Sequence, residues 1–199
     1  SSDVCSSDLL FPMNSAPATS DKLILVTGPA RSGKSEWAES LATNSRKKII
    51  YVATSQINTS DLEWQTRIEK HKNRRPSDWI TLEIPIKLSE TLIDYSYEDS
   101  CILVDSLGTW LSNILAQDEK AWDETLETFI ESLLKVKGDV ILVAEETGWG
   151  VVPSFPIGRL FRDRLGSLIR RVGVISDSVY LVTGGYILPL SDLGIPLKL

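Results

Sequence analysis

The chain has 199 residues, 42% of them hydrophobic, enough to bury one substantial core. Its formal charge is −6, of which Asp3 and Asp8 supply two, leaving −4 over residues 21–199. That acidic balance argues against a protein that coats nucleic acid, and two cysteines give neither a disulfide framework nor a Cys/His metal cluster. No apolar run nears the roughly 20 residues that span a bilayer, so no membrane span is expected and the cytoplasm is the predicted location.

Residues 1–20 (SSDVCSSDLLFPMNSAPATS) are rich in Ser, Ala and Pro and lack periodicity, which predicts a disordered tail before a single domain over 21–199. Met13 is the only methionine, so translation is expected to start there, with residues 1–12 a non-native addition. A signal peptide would need a basic start and a longer apolar run than this tail has.

The elements follow in order. Leu23 to Thr27 is an apolar strand running into Gly28-Pro29-Ala30-Arg31-Ser32-Gly33-Lys34-Ser35, and an amphipathic helix is predicted over 35–43. Lys48 to Ala53 reads as a buried strand. A helix is expected from the capping box at Ser60 to about Lys72, ending before Pro76. Short strands follow at 79–84 and 101–105, then helices at 107–115 and 122–136, and a strand at 140–144. The longest helix is predicted from Pro156 to about Ile175, with Ile157, Leu160, Phe161, Leu165, Leu168 and Val172 on one stripe. Val179 to Val182 is a last strand before Gly184-Gly185. Strands alternating with helices predict an α/β fold of the P-loop NTPase (RecA-like) type, a mostly parallel sheet with helices on both faces.

GPARSGKS has the G-x-x-x-x-G-K-[ST] spacing between a strand and a helix, as a phosphate-binding loop requires. The glycines let successive N–H groups curl around phosphate, Lys34 can reach the outer phosphates, and Ser35 can ligate Mg²⁺. A glycine turn with a chance Gly-Lys-Ser is the bland alternative, and strand and helix on either side weigh against it. Asp105 ends an apolar strand where such an enzyme places its Mg²⁺ carboxylate, although an Asp there can also simply cap the next helix.

His71, the only histidine, lies in RIEKHKNRR (Arg67 to Arg75), whose five basic residues and Glu69 sum to +4. Such a run is often a solvated helix face. Here Trp64, Ile68 and His71 share i, i+4, i+7 spacing, and the surrounding cations would hold a triphosphate and favour a neutral, nucleophilic imidazole. On the residues alone a packed histidine and a chemical one stand level. Glu145 and Glu146 close a strand before Gly148-Trp149-Gly150; such carboxylates accept a hydroxyl proton or orient water, and equally cap turns. Trp149 is a stacking platform or packs locally.

Together these segments resemble the bifunctional adenosylcobinamide kinase/adenosylcobinamide-phosphate guanylyltransferase family. The likeness runs through LILVTGPARSGKS, YVATSQ, RIEKHKNRRP, LVDSLGTWLSN, EETGWGVVP and FRDRLG across most of residues 23–185, with HK-x-x-RP and E-x-G-x-G-x-V-P its most specific parts. The resemblance implies phosphorylation of adenosylcobinamide by a nucleoside triphosphate such as ATP. Transfer of GMP from GTP through a guanylylated histidine then gives adenosylcobinamide-GDP and pyrophosphate. It puts His71, Lys34 and Glu146 in catalytic roles and guanine-nucleotide contacts on residues 28–35, Ser55, Gln56, Ile57, Lys72, Asn73, Arg74, Arg75, Glu83 and Asp105. Mg²⁺ is then held by Ser35 and Asp105. It also implies a homotrimer with the basic segment near a subunit boundary.

The sequence departs from the family at Glu145 and near Ile169, where Asn is common, and at Lys70, where some relatives carry a second histidine. A P-loop small-molecule kinase without nucleotidyl transfer is the alternative. A GTPase switch would carry an [NT]KxD motif, which is absent, and a motor would need nucleic-acid-stimulated turnover.

Overall fold

The computed structural model describes residues 22–55 and 76–197. The elements in order are β1 (Leu23–Gly28), α1 (Lys34–Asn44), β2 (Lys48–Ala53), β3 (Ile80–Glu83), α2 (Leu88–Asp94), β4 (Ser100–Asp105), α3 (Leu107–Ile114) and α4 (Glu119–Lys135). Then come β5 (Asp139–Glu145), α5 (Pro156–Ile175), β6 (Ser178–Thr183), β7 (Tyr186–Pro189) and α6 (Leu190–Leu193). The seven strands form one sheet in the order β3-β2-β4-β5-β1-β6-β7, parallel throughout except for β7, which runs antiparallel to β6. This is the mostly parallel α/β architecture that the alternating pattern predicts.

Burial explains the apolar strands. Along β1, Leu23 and Leu25 face one core while Ile24 and Val26 face the other, and β5 alternates in the same way. The larger core lies under α2, α3, α4 and α5, where Trp110 and Phe129 pack with ring centroids 4.9 Å apart. The smaller core lies under α1, through Ala38, Leu41 and Ala42. Helices therefore cover both faces.

Several boundaries differ from the expectation. α4 starts at Glu119 rather than Trp122, because the Asp118 side chain accepts from Ala121 N–H and caps it. Helix α2 and the β7–α6 hairpin extension are additional to the predicted elements. The apolar stripe of α5 divides: Leu165, Leu168 and Val172 are fully buried, whereas Ile157 and Leu160 are 59% and 38% exposed. The helix expected from Ser60 to Lys72 lies outside the described residues.

Topology gathers the candidate residues at the carboxyl ends of the strands. In register, Gly28 of β1 lies beside Glu145 of β5, and Ala53 of β2 lies between Glu83 of β3 and Asp105 of β4. One strand, β5, separates the phosphate-loop strand from the strand that ends in Asp105. This edge is where α/β sheets bind ligands.

Candidate active site

The phosphate loop is shaped by its glycines. At Gly28 the backbone oxygen of Val182 comes so near that a Cβ would collide with it. Gly33 takes φ +95°, and helix α1 begins one residue later. Arg31 also takes a positive φ, 59°, with its side chain exposed beside exposed Ala30 and half-buried Pro29. The N-cap of α1 is Gly33, which has no side chain to take up the first N–H groups of the helix, an arrangement compatible with anion binding there. By contrast, Ser106 caps α3 and Asp118 caps α4.

Lys34 is 9% exposed, and its Nζ donates to the Pro29 carbonyl at 3.2 Å. The ammonium is thus folded back over its own loop, within the space that a phosphate would share. Ser32 Oγ is buried with no hydrogen-bond partner among the described residues, a polar atom that an oxyanion would satisfy. Ser35 is half-buried in the first turn of α1.

Asp105 Oδ2 accepts from the Tyr51 hydroxyl at 2.9 Å, which orients the carboxylate and leaves its other oxygen available. A Ser hydroxyl and one Asp carboxylate are hard oxygen donors of the kind Mg²⁺ takes alongside phosphates and water. Among the described residues no cluster of three or more His, Cys, Asp or Glu forms a self-sufficient metal site. The donor set therefore fits a cation that arrives with a nucleotide.

The two glutamates part company. Thr27 Oγ1 donates to Glu146 Oε1 at 2.8 Å, and Glu146 N–H donates to the Gly28 carbonyl at 2.9 Å, tying this residue to the base of the phosphate loop. Glu145 turns instead to α3, where Ser106 Oγ donates to its Oε1 and Gly108 N–H to its Oε2 at 3.0 Å. Burial pushes the Glu145 carboxyl above the usual carboxylate range; the Ser106 hydroxyl and Lys34 oppose the rise, and the Asp105 charge adds to it. The Glu145 carboxyl is thus lodged at the N-terminus of α3.

Reasoning from the sequence overlooked the residues that set the end of β2. Thr54 Oγ1 donates to the Ser106 carbonyl at 2.7 Å and accepts from Ser106 N–H at 2.9 Å. Asn113 Nδ2 donates to the Thr54 and Pro85 carbonyls at 2.7 and 2.9 Å. These bonds fix the chain just before half-buried Ser55. No local spacing signals these bonds, which join residues 52 and 59 positions apart. Glu83 is exposed at the end of the edge strand β3, and Ile169 packs partly buried against the larger core. Gln56, Ile57, His71, Lys72, Asn73, Arg74 and Arg75 lie outside the described residues.

The sheet, the loop and the carboxylate two strands away define an α/β protein of the P-loop NTPase type. More narrowly, the chain belongs to the cobinamide kinase / cobinamide phosphate guanyltransferase family, whose model matches residues 24–190. Over 167 residues it is 40% identical to the bifunctional adenosylcobalamin biosynthesis protein CobP of Pseudomonas aeruginosa, covering 83% of this chain and 95% of that protein. It is 35% identical over 177 residues to the protein named CobU of Salmonella typhimurium, covering 82% and 96%. A solved structure from Pyrococcus horikoshii shares the fold at TM-score 0.53 and 9% identity, with 85% of each chain aligned.

Proposed function

We propose that this chain performs both reactions of its family. A nucleoside triphosphate, ATP or GTP, phosphorylates the hydroxyl of the aminopropanol arm of adenosylcobinamide. GMP then passes from GTP to that phosphate through a guanylylated His71, releasing pyrophosphate and giving adenosylcobinamide-GDP. The observation that carries the reading is the loop from Gly28 to Ser35, which opens into helix α1 through Gly33, an N-cap without a side chain.

In the kinase step the arm's oxygen bonds to the γ-phosphorus as the bond to the bridging oxygen breaks, and the nucleoside diphosphate leaves with the electron pair. Loop N–H groups and Lys34 bear the charge of the transferring phosphate, and Glu146, held by Thr27, takes the hydroxyl proton. Mg²⁺, held by Ser35 and Asp105, neutralises charge on the phosphates when bound. Ser55, Gln56, Ile57, Lys72, Asn73, Arg74, Arg75 and Glu83 contact the guanine nucleotide. The protein works in the cytoplasm as a homotrimer. Among the described residues no helix is long and apolar enough to cross a membrane.

Incubation with α-labelled GTP, with and without adenosylcobinamide phosphate, tests the reading. Protein-bound, acid-labile label that chases onto the corrinoid is expected. Phosphorylation of adenosylcobinamide without any protein label would leave a kinase alone.

A further inference from the structure

An open cleft of about 410 Å³ lies between α3 and the start of α5. Gly108, Thr109, Ser112 and Asn113 form one wall, Thr147 and Phe161 the other, and Glu145 closes its inner end. None of the nucleotide contacts assigned above lies in these walls. Glu145 is nonetheless the register partner of Gly28, so the cleft and the phosphate loop meet at one residue.

We propose that this cleft binds the hydroxyl-bearing amide arm of the acceptor corrinoid and directs its end toward the phosphate loop. The inference rests on the kinase reading. Its volume falls within the usual range for small-molecule sites, roughly 300–1,000 Å³. Hydroxyls of Thr109, Ser112 and Thr147 offer hydrogen bonds to a neutral arm, and Phe161 gives an apolar wall. Among the described residues, the only charged side chain lining the cleft is Glu145. A carboxylate there accepts from the N–H and O–H groups of the arm and repels a phosphate, so the cleft favours the unphosphorylated acceptor over the phosphorylated product.

The corrin ring is too large to follow the arm inside. The chain between the two residues of the second wall, from Thr147 to Phe161, displays Trp149 (62% exposed), Val151, Val152 and Phe155 to solvent. Apolar surface of that kind next to a polar slot suits a macrocycle resting at the mouth.

Ser112→Trp and Thr147→Trp test the assignment from opposite walls. Both positions are exposed, so the added rings fill the cleft without entering a core. Titration of each variant and of the wild type with adenosylcobinamide, and separately with GTP, is the measurement. The dissociation constant for adenosylcobinamide should rise at least tenfold while that for GTP stays within about twofold. Wild-type corrinoid affinity in either variant that still binds GTP overturns the cleft alone. Failure of the wild type to bind adenosylcobinamide overturns the kinase reading, and the cleft assignment with it.

Discussion

Gly108 gives its N–H to Glu145 Oε2 at 3.0 Å, and a Cβ on this glycine would collide with that same oxygen. The carboxylate approaches the α3 N-terminus only because the residue there has no side chain. Gly108→Ala should therefore swing the Glu145 side chain away while the backbone stays in place. Gly28→Ala is different, because its obstacle is the Val182 backbone oxygen on a paired strand, which cannot rotate aside. Overpacking of this type costs about 1–3 kcal/mol. Thermal unfolding of both variants should give the lower Tm for Gly28→Ala, and the reverse order would show that β6 yields more easily than the carboxylate.

Glu145 should leave a mark on the pH dependence of stability. Its folded pKa lies above its unfolded value, so over that interval the folded state holds more proton than the unfolded state. Stability from this group is then lost as pH rises through the interval and recovered as pH falls toward the ordinary value of 4.5. The groups facing it are Lys34, Asp105, the Ser106 hydroxyl and the Gly108 N–H. Glu145→Gln keeps the shape without the charge. Its Tm advantage over wild type should be greatest at neutral pH and shrink on acidification, whereas a constant difference would mean that ionisation of Glu145 carries no cost.

The phosphate loop and the strand ending in Asp105 were legible because each combines an apolar strand with a fixed polar position. Helix α3 was legible as a helix, but its work was not: the bonds from Ser106 and Asn113 to Thr54 join residues 52 and 59 positions apart. No local spacing encodes such pairs. The β6–β7 hairpin had a local signal that went unread, since Gly184 and Gly185 both take positive φ between Thr183 and Tyr186. The first turn of α5 misled because helical periodicity marks an apolar face but does not say what covers it.

Lys34 has a partner in the structure, the Pro29 carbonyl, that a bound phosphate would replace. Lys34→Ala should lower kinase turnover at least about 10²-fold, the usual loss when a group stabilising transition-state charge is removed. The Pro29 carbonyl is in a half-buried loop position that water can serve, so the Tm should change little. A folded variant with near-normal kinase turnover would show that the backbone of the loop suffices.

Asp105→Asn preserves the acceptor that Tyr51 uses through the amide oxygen while removing the negative charge. Turnover should then need much higher Mg²⁺, with unfolding by denaturant little altered. An unchanged Mg²⁺ titration would assign this side chain to holding Tyr51 rather than to a cation.

His71 is the only histidine in the chain, which makes its test unusually clean. Direct transfer of GMP from GTP to a corrinoid phosphate brings two anions together, and an imidazole that attacks the α-phosphorus first divides this into two displacements. In the first, the new N–P bond forms as the bond to pyrophosphate breaks; in the second, the corrinoid phosphate oxygen displaces the imidazole. The unprotonated imidazole is the nucleophile in this step. Lys70, Lys72, Arg74 and Arg75 adjoin it in sequence and would offset the charge of the triphosphate and the leaving pyrophosphate. The resulting phosphoramidate should be labile in acid and stable in base. His71→Asn should abolish both protein labelling from α-labelled GTP and guanylyl transfer, while phosphorylation of adenosylcobinamide continues through the Lys34 loop. Undiminished acid-labile label on the Asn variant would remove histidine from the reaction altogether, because no second imidazole exists to replace it.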